Sequence, residues 1–359
     1  MGAALALGER TRGASAPNPN VGCVVVRDGR VVGRGWTQPG GRPHAEAMAL
    51  AQAGGQARGA TVYTTLEPCA HVSPRGPACA DLLVAAGVAR VVVALGDPDP
   101  RTDRIGIARL RDAGIVVTDG VRGEDAARSM AGFLTRQRCG RPSVTLKLAT
   151  SLDGCIALAD GTSRWITGPE ARAHAHLERS RHGAILVGRG TWDADAPRLD
   201  VRLAGLEARS PMRVVLSAHP HPSAASPLPP ATGRPCPRHG LNSTGCCSPA
   251  APDGRGNRRV APLGEGEGEP VWISSPADIA GLPVDHLLIE GGAGAAAAFL
   301  RADMVDRLLL YRAPIVIGGG RPSIGDIGLV DLGSAHGRWR LGDARQLGTD
   351  RVEVYERHR

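Results

Sequence analysis

The 359-residue chain contains no run of eighteen apolar residues, so no membrane-spanning helix is expected. Its first residues, Met1-Gly2-Ala3-Ala4-Leu5-Ala6-Leu7, are apolar but run straight into Glu9-Arg10. Without a basic stretch before them or a clear cleavage site after them, they do not read as a secretory signal. Aromatic residues make up only 3% of the chain, which leaves few platforms for stacking the bases of a single-stranded nucleic acid. The formal charge of +8 is not a spread-out basic surface. Five arginines against Asp253 in residues 231–260 supply +4 of it within one low-complexity stretch. A phosphorylated small molecule needs only a few well-placed arginines. Eight cysteines in a chain this long are too few for a disulfide framework, and their setting is that of reduced thiols in the cytoplasm.

What is present begins with Pro43-His44-Ala45-Glu46, followed by Glu67-Pro68-Cys69 and then Cys79. Zinc takes neutral imidazole and thiolate donors, and a catalytic site leaves one of four tetrahedral positions for water. His44, Cys69 and Cys79 supply three ligands. Glu46 stands beside the metal as a proton carrier, an arrangement that follows the H-x-E…P-C-x-x-C signature of zinc deaminases acting on nucleobases, with nine residues in place of two between the cysteines. A purely structural zinc site has no use for the extra glutamate.

The first half alternates strands and helices. A helix is expected over 1–13, a Pro/Asn turn over 15–20 and a buried strand over 21–26. A hairpin turn at Asp28-Gly29 and a return strand to Trp36 follow. Helices are predicted over 44–53, 79–86, 107–113 and 124–138, with strands over 60–65, 88–95 and 114–118. That order gives an α/β layered domain. His44 and Glu46 fall in the first turn of one helix and Cys79 at the start of another, where the helix dipole favours a thiolate. Cys23, inside an apolar strand, reads as core. Cys139-Gly140-Arg141-Pro142 is read as the domain boundary, dividing the chain into 1–141 and 142–359.

The second half opens with a strand over 143–149 that carries Lys147, a charge too costly to bury without a partner. A helix starting at Pro169, strands over 184–188, 213–216 and 284–289, and a helix over 293–302 follow. Glu290-Gly291-Gly292 joins the last strand to the last helix, a geometry that attracts anions but more often only turns the chain. No G-x-G-x-x-G follows the first strand, so a standard Rossmann site is excluded. Residues 218–270 are rich in Pro, Ser, Gly and Arg, hold Cys236, Cys246 and Cys247, and read as a loop. The adjacent thiols Cys246-Cys247 lack the spacing of a second metal site.

The chain resembles the bifunctional riboflavin-biosynthesis deaminase–reductases. The deaminase half is carried by Asn18-Pro19-Asn20-Val21-Gly22-Cys23, Pro43-His44-Ala45-Glu46, Thr65-Leu66-Glu67-Pro68-Cys69 with His71, and Gly96-Asp97-Pro98-Asp99-Pro100. The reductase half is carried by Lys147-Leu148-Ala149 with Ser151-Leu152-Asp153-Gly154, by Ser163-Arg164-Trp165-Ile166-Thr167, and by Glu290-Gly291-Gly292. Two departures stand out. Nine residues separate Cys69 from Cys79 where the family has eight, and Arg104 stands where the family often has glycine.

The resemblance implies a cytidine-deaminase-like three-layer α/β domain followed by a dihydrofolate-reductase-like domain. It implies zinc and NADPH as cofactors, a phosphorylated pyrimidine as substrate, and a dimer or tetramer that binds neither nucleic acid nor membrane. Asn18 would contact the deaminase substrate. Ser163, Arg179, Leu199, Arg202 and Glu290 would face the reductase substrate together with Lys147. Ala149, Trp165, Thr191, Asp195, Gly291 and Gly292 would line the cofactor. Two other readings compete: a nucleic-acid-editing deaminase, and a deaminase whose second domain is only a scaffold. The long cysteine spacing and the scarcity of aromatics oppose the first.

Overall fold

The computed structural model describes residues 1–71, 73–219 and 268–358. The sequence reading of 218–270, with Cys236, Cys246 and Cys247, therefore lies almost wholly outside the described residues. Two compact units emerge. One is formed by residues 1–143 with 181–183 and 284–286, the other by the remainder.

The first unit runs α1 (Gly2–Gly8), β1 (Gly22–Arg27), β2 (Arg30–Trp36), α2 (Ala45–Ala53), β3 (Thr61–Thr64), α3 (Cys79–Ala85), β4 (Arg90–Val93), α4 (Ile105–Asp112), β5 (Val116–Thr118), α5 (Gly123–Ser129) and α6 (Ala131–Cys139). The five strands form one sheet in the order β2-β1-β3-β4-β5. β1 is antiparallel to both β2 and β3, and β3, β4 and β5 run parallel. The β1–β2 hairpin turns through Asp28 and Gly29, both at positive φ (49° and 74°), which is why Asp-Gly sits there. Val25, Val62, Val91 and Val93 are fully buried, as expected of strands covered on both faces.

Helix α2 lies unusually close to this sheet. A Cβ on Gly33 would fall 2.1 Å from the Ala49 carbonyl oxygen, and one on Gly35 would fall 2.0 Å from that of Ala45. Two glycines on one face of β2 and alanines on the facing side of α2 let the backbones meet. That contact sets the height of the helix start, where His44 and Glu46 lie.

The second unit contains β6 (Ser143–Thr150), β7 (Cys155–Ala157), α7 (Pro169–Arg179), β8 (Ala184–Gly188), α8 (Arg189–Asp195), β9 (Met212–Leu216), β10 (Val271–Ile273), β11 (His286–Ile289), α9 (Ala293–Arg301), β12 (Arg307–Arg312), β13 (Arg321–Pro322), β14 (Trp339–Leu347) and β15 (Asp350–Arg357). An eight-stranded sheet has the order β10-β9-β8-β11-β6-β12-β15-β14. β8, β9, β10 and β11 run parallel, and β15 pairs antiparallel with β12 and β14.

Several sequence expectations are corrected. The single helix over 124–138 is two, broken at Met130 (φ −98°, ψ 19°). Met130 is fully buried, so the break lets Ala126 on one helix and Phe133 and Leu134 on the other reach the same core. The structure adds helix α8, where the sequence pattern indicates only a glycine turn with Thr191 and Asp195, and strands β7, β10, β12, β13, β14 and β15, which the pattern does not indicate. β14 is exposed along almost its whole length and carries no apolar alternation to betray it.

The close packing of α2 yields a direct test. Gly35→Ala should destabilise the first unit by about 1–3 kcal/mol, the usual penalty of overpacking, because the obstacle is backbone. Thermal unfolding of the full chain would show this as a lowered first transition. An unchanged transition would contradict the contact.

Candidate functional site

His44, Cys69 and Cys79 come together in the first unit, with one donor atom from each lying within 4.8 Å of the others. His44 is the N-cap of α2 in extended conformation, Cys79 is the first residue of α3, and Cys69 lies in the irregular segment after β3. His44 Nδ1 is 3.3 Å from Cys79 Sγ and 3.6 Å from Cys69 Sγ. A tetrahedral ion bonded at ~2.0 Å to nitrogen and ~2.3 Å to sulfur spreads its donors by roughly 3.5 Å. The three side chains therefore fit a zinc ion in both donor type and spacing.

The two thiols are buried, and their proton affinities are driven apart. Hydrogen bonding from Cys79, its side chain first, then from His44, holds Cys69 down to about 4 despite burial. The backbone N–H of Cys79 donates to the Cys69 sulfur at 3.3 Å. Cys79 is pushed well above the ordinary thiol range by its bond to Cys69 and by burial.

Glu46 is 3% exposed. Burial raises its carboxyl above the usual range, with His44 opposing and Cys69 adding to the rise. Thr64 Oγ1 donates to Glu46 Oε1 at 3.0 Å, which fixes the orientation of the carboxylate. Asn18 is brought to the same site, with its Nδ2 3.0 Å from His44 Nε2 and donating to the Gly41 carbonyl at 2.9 Å. A cavity of about 620 Å³ opens beside His44 and Cys79 and is also lined by Leu50, Leu82, Arg42 and Arg75, among others. The sequence reading missed these two arginines and Thr64. Arg75 sits in the lengthened cysteine loop, where a cation between two metal ligands was the available signal. The described part of that loop turns back at Ser73 and Gly76, and Arg75 Nη2 donates to the Gly40 carbonyl at 2.9 Å.

The second unit gathers another set of the singled-out residues. Arg179 on α7 binds Glu290 through two parallel bonds, Nε to Oε1 at 2.7 Å and Nη2 to Oε2 at 2.9 Å. Lys147 on β6 lies 3.6 Å from Glu290 Oε2. It is the only lysine among 43 cationic side chains. Burial alone would push Glu290 up, but Lys147 and then Arg179 hold it down at about 2, so it is ionised. Arg202 Nε reaches Asp200 at 3.4 Å, and the Arg202 backbone N–H donates to His176 Nδ1 at 3.2 Å. Arg179 Nη1 donates to the Asp200 carbonyl at 2.8 Å, which joins the group.

Gly291 and Gly292 precede α9, and a Cβ on Gly292 would lie 3.4 Å from Thr191 Oγ1. Thr191 and the two glycines therefore meet at the ends of the neighbouring strands β8 and β11. Ala149 sits two residues beyond Lys147 on β6, half-buried against the Ala171 and Tyr311 cluster. Other expected residues are placed differently. Leu199 is buried with Ile185, Val187, Val215 and Leu288, so its side chain is core and only its backbone is left to meet a ligand. Trp165 is 66% exposed, with the Arg172 guanidinium 4.8 Å over its ring. Ser163 is exposed on the same segment, and Asp195 is exposed at the end of α8.

Two family models match the chain. The cytidine and deoxycytidylate deaminase zinc-binding region matches residues 1–95, and the RibD C-terminal domain matches residues 142–231 and 278–352. The chain is 37% identical over 362 residues to the riboflavin biosynthesis protein RibD of Escherichia coli, covering 98% of this chain and 96% of that protein. It is also 37% identical to RibD of Aquifex aeolicus over 365 residues, covering 100% and 98%. Among solved structures it is similar to Acinetobacter baumannii RibD, with a TM-score of 0.76 at 34% identity and coverage of 100% and 98%. A deaminase/reductase from Thermotoga maritima gives a TM-score of 0.77 at 29% identity, covering 100% of this chain and 97% of that one.

The split between the two thiols can be read directly. In metal-stripped protein one thiolate should persist as the solution is acidified and disappear only near pH 4, as followed by thiolate absorbance. Cys69→Ser should abolish it. Absence of any thiolate below about pH 8, as for an ordinary cysteine, would contradict the assignment.

Proposed function

This chain belongs to the RibD family of riboflavin-biosynthesis deaminase–reductases, and on that premise we propose how its residues divide the two reactions. The protein is a bifunctional enzyme of riboflavin biosynthesis, using zinc for a hydrolytic deamination and NADPH for a reduction. The first reaction takes 2,5-diamino-6-ribosylamino-4(3H)-pyrimidinone 5′-phosphate and replaces its 2-amino group by oxygen. The second reduces the ribosyl group of 5-amino-6-(5-phosphoribosylamino)uracil to ribityl. We assign deamination to residues 1–141 and reduction to residues 142–359.

For deamination, His44, Cys69 and Cys79 hold the zinc, and their 3.3 and 3.6 Å separations are the observation that carries the reading. Zinc, when bound, supplies the Lewis acidity that makes water a nucleophile near neutral pH. Glu46 accepts the proton that water loses and passes it to the ring nitrogen; it then takes the second proton from the hydroxyl now on the ring carbon and gives it to the amino group, which leaves as ammonia as the carbonyl forms. Burial suits it to this work, because a carboxyl raised toward neutrality can serve as base and acid within one turnover. Asn18, beside His44, orients the pyrimidine ring. Arg42 and Arg75 on the cavity wall supply guanidinium groups for the 5′-phosphate.

For reduction, NADPH supplies the hydride when bound. Thr191, Gly291 and Gly292 form its cradle at the strand ends, with Ala149, Trp165 and Asp195 as further contacts. Ionised Glu290 accepts hydrogen bonds from the sugar hydroxyls, and Arg202 and Arg179 face the phosphate end, with Ser163 and the Leu199 backbone completing the substrate site. Lys147, held beside Glu290, donates the proton that the sugar oxygen needs as the ring opens. We place the enzyme in the cytoplasm, which free thiols at Cys23, Cys69, Cys79, Cys139 and Cys155 support. Exposed Val316, Val330 and Leu332 on the second unit support a homo-oligomer.

Glu46→Gln should retain zinc and lose deamination by about 10²–10⁴-fold, the usual worth of a general acid–base group. Cys79→Ser should lose zinc and deamination together while NADPH oxidation by the deaminated intermediate continues. A Cys79→Ser protein that keeps both zinc and deamination refutes the ligand set. Lys147→Arg preserves the charge but not a transferable proton, since arginine does not give one up in proteins. It should lower reductase kcat by about 10²–10⁴-fold with deamination unchanged, and an unaltered kcat would remove Lys147 from the chemistry.

A further inference from the structure

Glu67 is a carboxylate with 2% exposure, placed two residues before Cys69. Among the described residues, no guanidinium or ammonium is paired with it. Instead it collects three backbone N–H groups from a distant part of the chain. Oε1 accepts from Ile107 at 3.0 Å, in the first turn of α4. Oε2 accepts from Asp97 at 3.3 Å and from Arg104 at 3.2 Å. Arg104 has φ 61°, in the left-handed region where glycine is at ease, and its guanidinium turns away to Asp119 at 2.7 Å. The N–H bond to Glu67 is thus one of the ties that keep a non-glycine residue there. The segment 97–107 is drawn against the Glu67-Pro68-Cys69 stretch so tightly that a Cβ on Gly106 would fall 2.1 Å from the Pro68 carbonyl oxygen. On the far side of Cys69 the same segment touches again, with Thr102 Oγ1 3.3 Å from His71 Nδ1.

Cys69 is therefore bracketed. Glu67 before it and His71 after it are both tied to the 97–107 segment, and its own carbonyl accepts from Ala80 at 3.1 Å, in α3 beside Cys79. We propose that Glu67 is the positioning residue for the metal centre: it gathers the 97–107 segment as a splint that fixes the Cys69 backbone and so the distance of Cys69 from His44 and Cys79. This deepens the zinc reading and rests on it. A carboxylate is required because every partner is a donor. A glutamine in its place must turn its NH₂ toward at least one N–H, losing that bond and adding a repulsion. A splint of this kind acts on the metal as outer-shell partners do, where a change commonly costs 10–100-fold in metal affinity or activity.

The test uses the full chain as wild type, Glu67→Gln, Glu67→Asp and Met130→Ala, a destabilising control in the same core but away from the centre. Zinc affinity is measured by chelator competition with the metal alone. Cobalt is then substituted and its visible spectrum recorded as a mark of tetrahedral geometry. Glu67→Gln should weaken zinc binding by about 10–100-fold and alter the cobalt spectrum. Glu67→Asp, too short to reach all three donors, should do so in the same direction and serves if the Gln variant does not fold. Met130→Ala should lower the melting temperature and leave both readouts unmoved. Unchanged zinc affinity and cobalt spectrum in both Glu67 variants overturn the proposal, as does an equal weakening in Met130→Ala, which reduces the effect to general stability. Failure of the wild type to bind zinc is a different result, and it sinks the functional reading with the proposal.

Discussion

A carboxylate taken out of water must be met by donors, and this molecule solves that problem three times in three ways. Glu46 is met by the Thr64 hydroxyl and its own backbone N–H, which do not offset its burial, and it is left with a raised affinity for protons. Glu67 is met by three neutral backbone N–H groups. Glu290 is met by two cations and is held ionised at about 2. An underpaid carboxylate shuttles protons, one satisfied by dipoles fixes a backbone, and one satisfied by charges stays an anion.

The scaffolds serve these sites through close backbone approach. Gly33 and Gly35 let α2 settle on β2, which fixes His44 and Glu46. Gly291 and Gly292 turn the chain from β11 into α9 beside Thr191. The two halves share a chemical logic as well as a chain: the deamination makes a uracil bearing a phosphoribosylamino group, and that is the molecule the reduction consumes.

The deaminase centre was legible because it is local. His44-x-Glu46 and Glu67-Pro68-Cys69 are short motifs whose residue types are set by metal chemistry, and the strands around them are apolar and short. Lys147 was also legible as a charge needing a partner, although nothing in the sequence near it names Glu290, 143 positions away. Arg104 read as a departure from the family, and its positive φ supplies the reason glycine is common there. What escaped was non-local or polar. β14 is exposed and so has no alternation to find. Thr64 and Thr102 act through side-chain hydroxyl contacts that no pattern announces. The break at Met130 depends on where the core lies, and a continuous helical pattern conceals it.

The central claim is that one chain performs both steps with the residues named. Its most direct measurement is to give the purified zinc-loaded protein the diaminopyrimidine 5′-phosphate, with and without NADPH, and to follow ammonia, NADPH and the pyrimidine products together. Without NADPH, ammonia should appear and the deaminated ribosyl compound should accumulate. With NADPH, that compound should be converted to the ribityl product with one NADPH consumed per ammonia released. Ammonia release with no NADPH oxidation, at full zinc occupancy, would leave the second unit a scaffold and contradict the account.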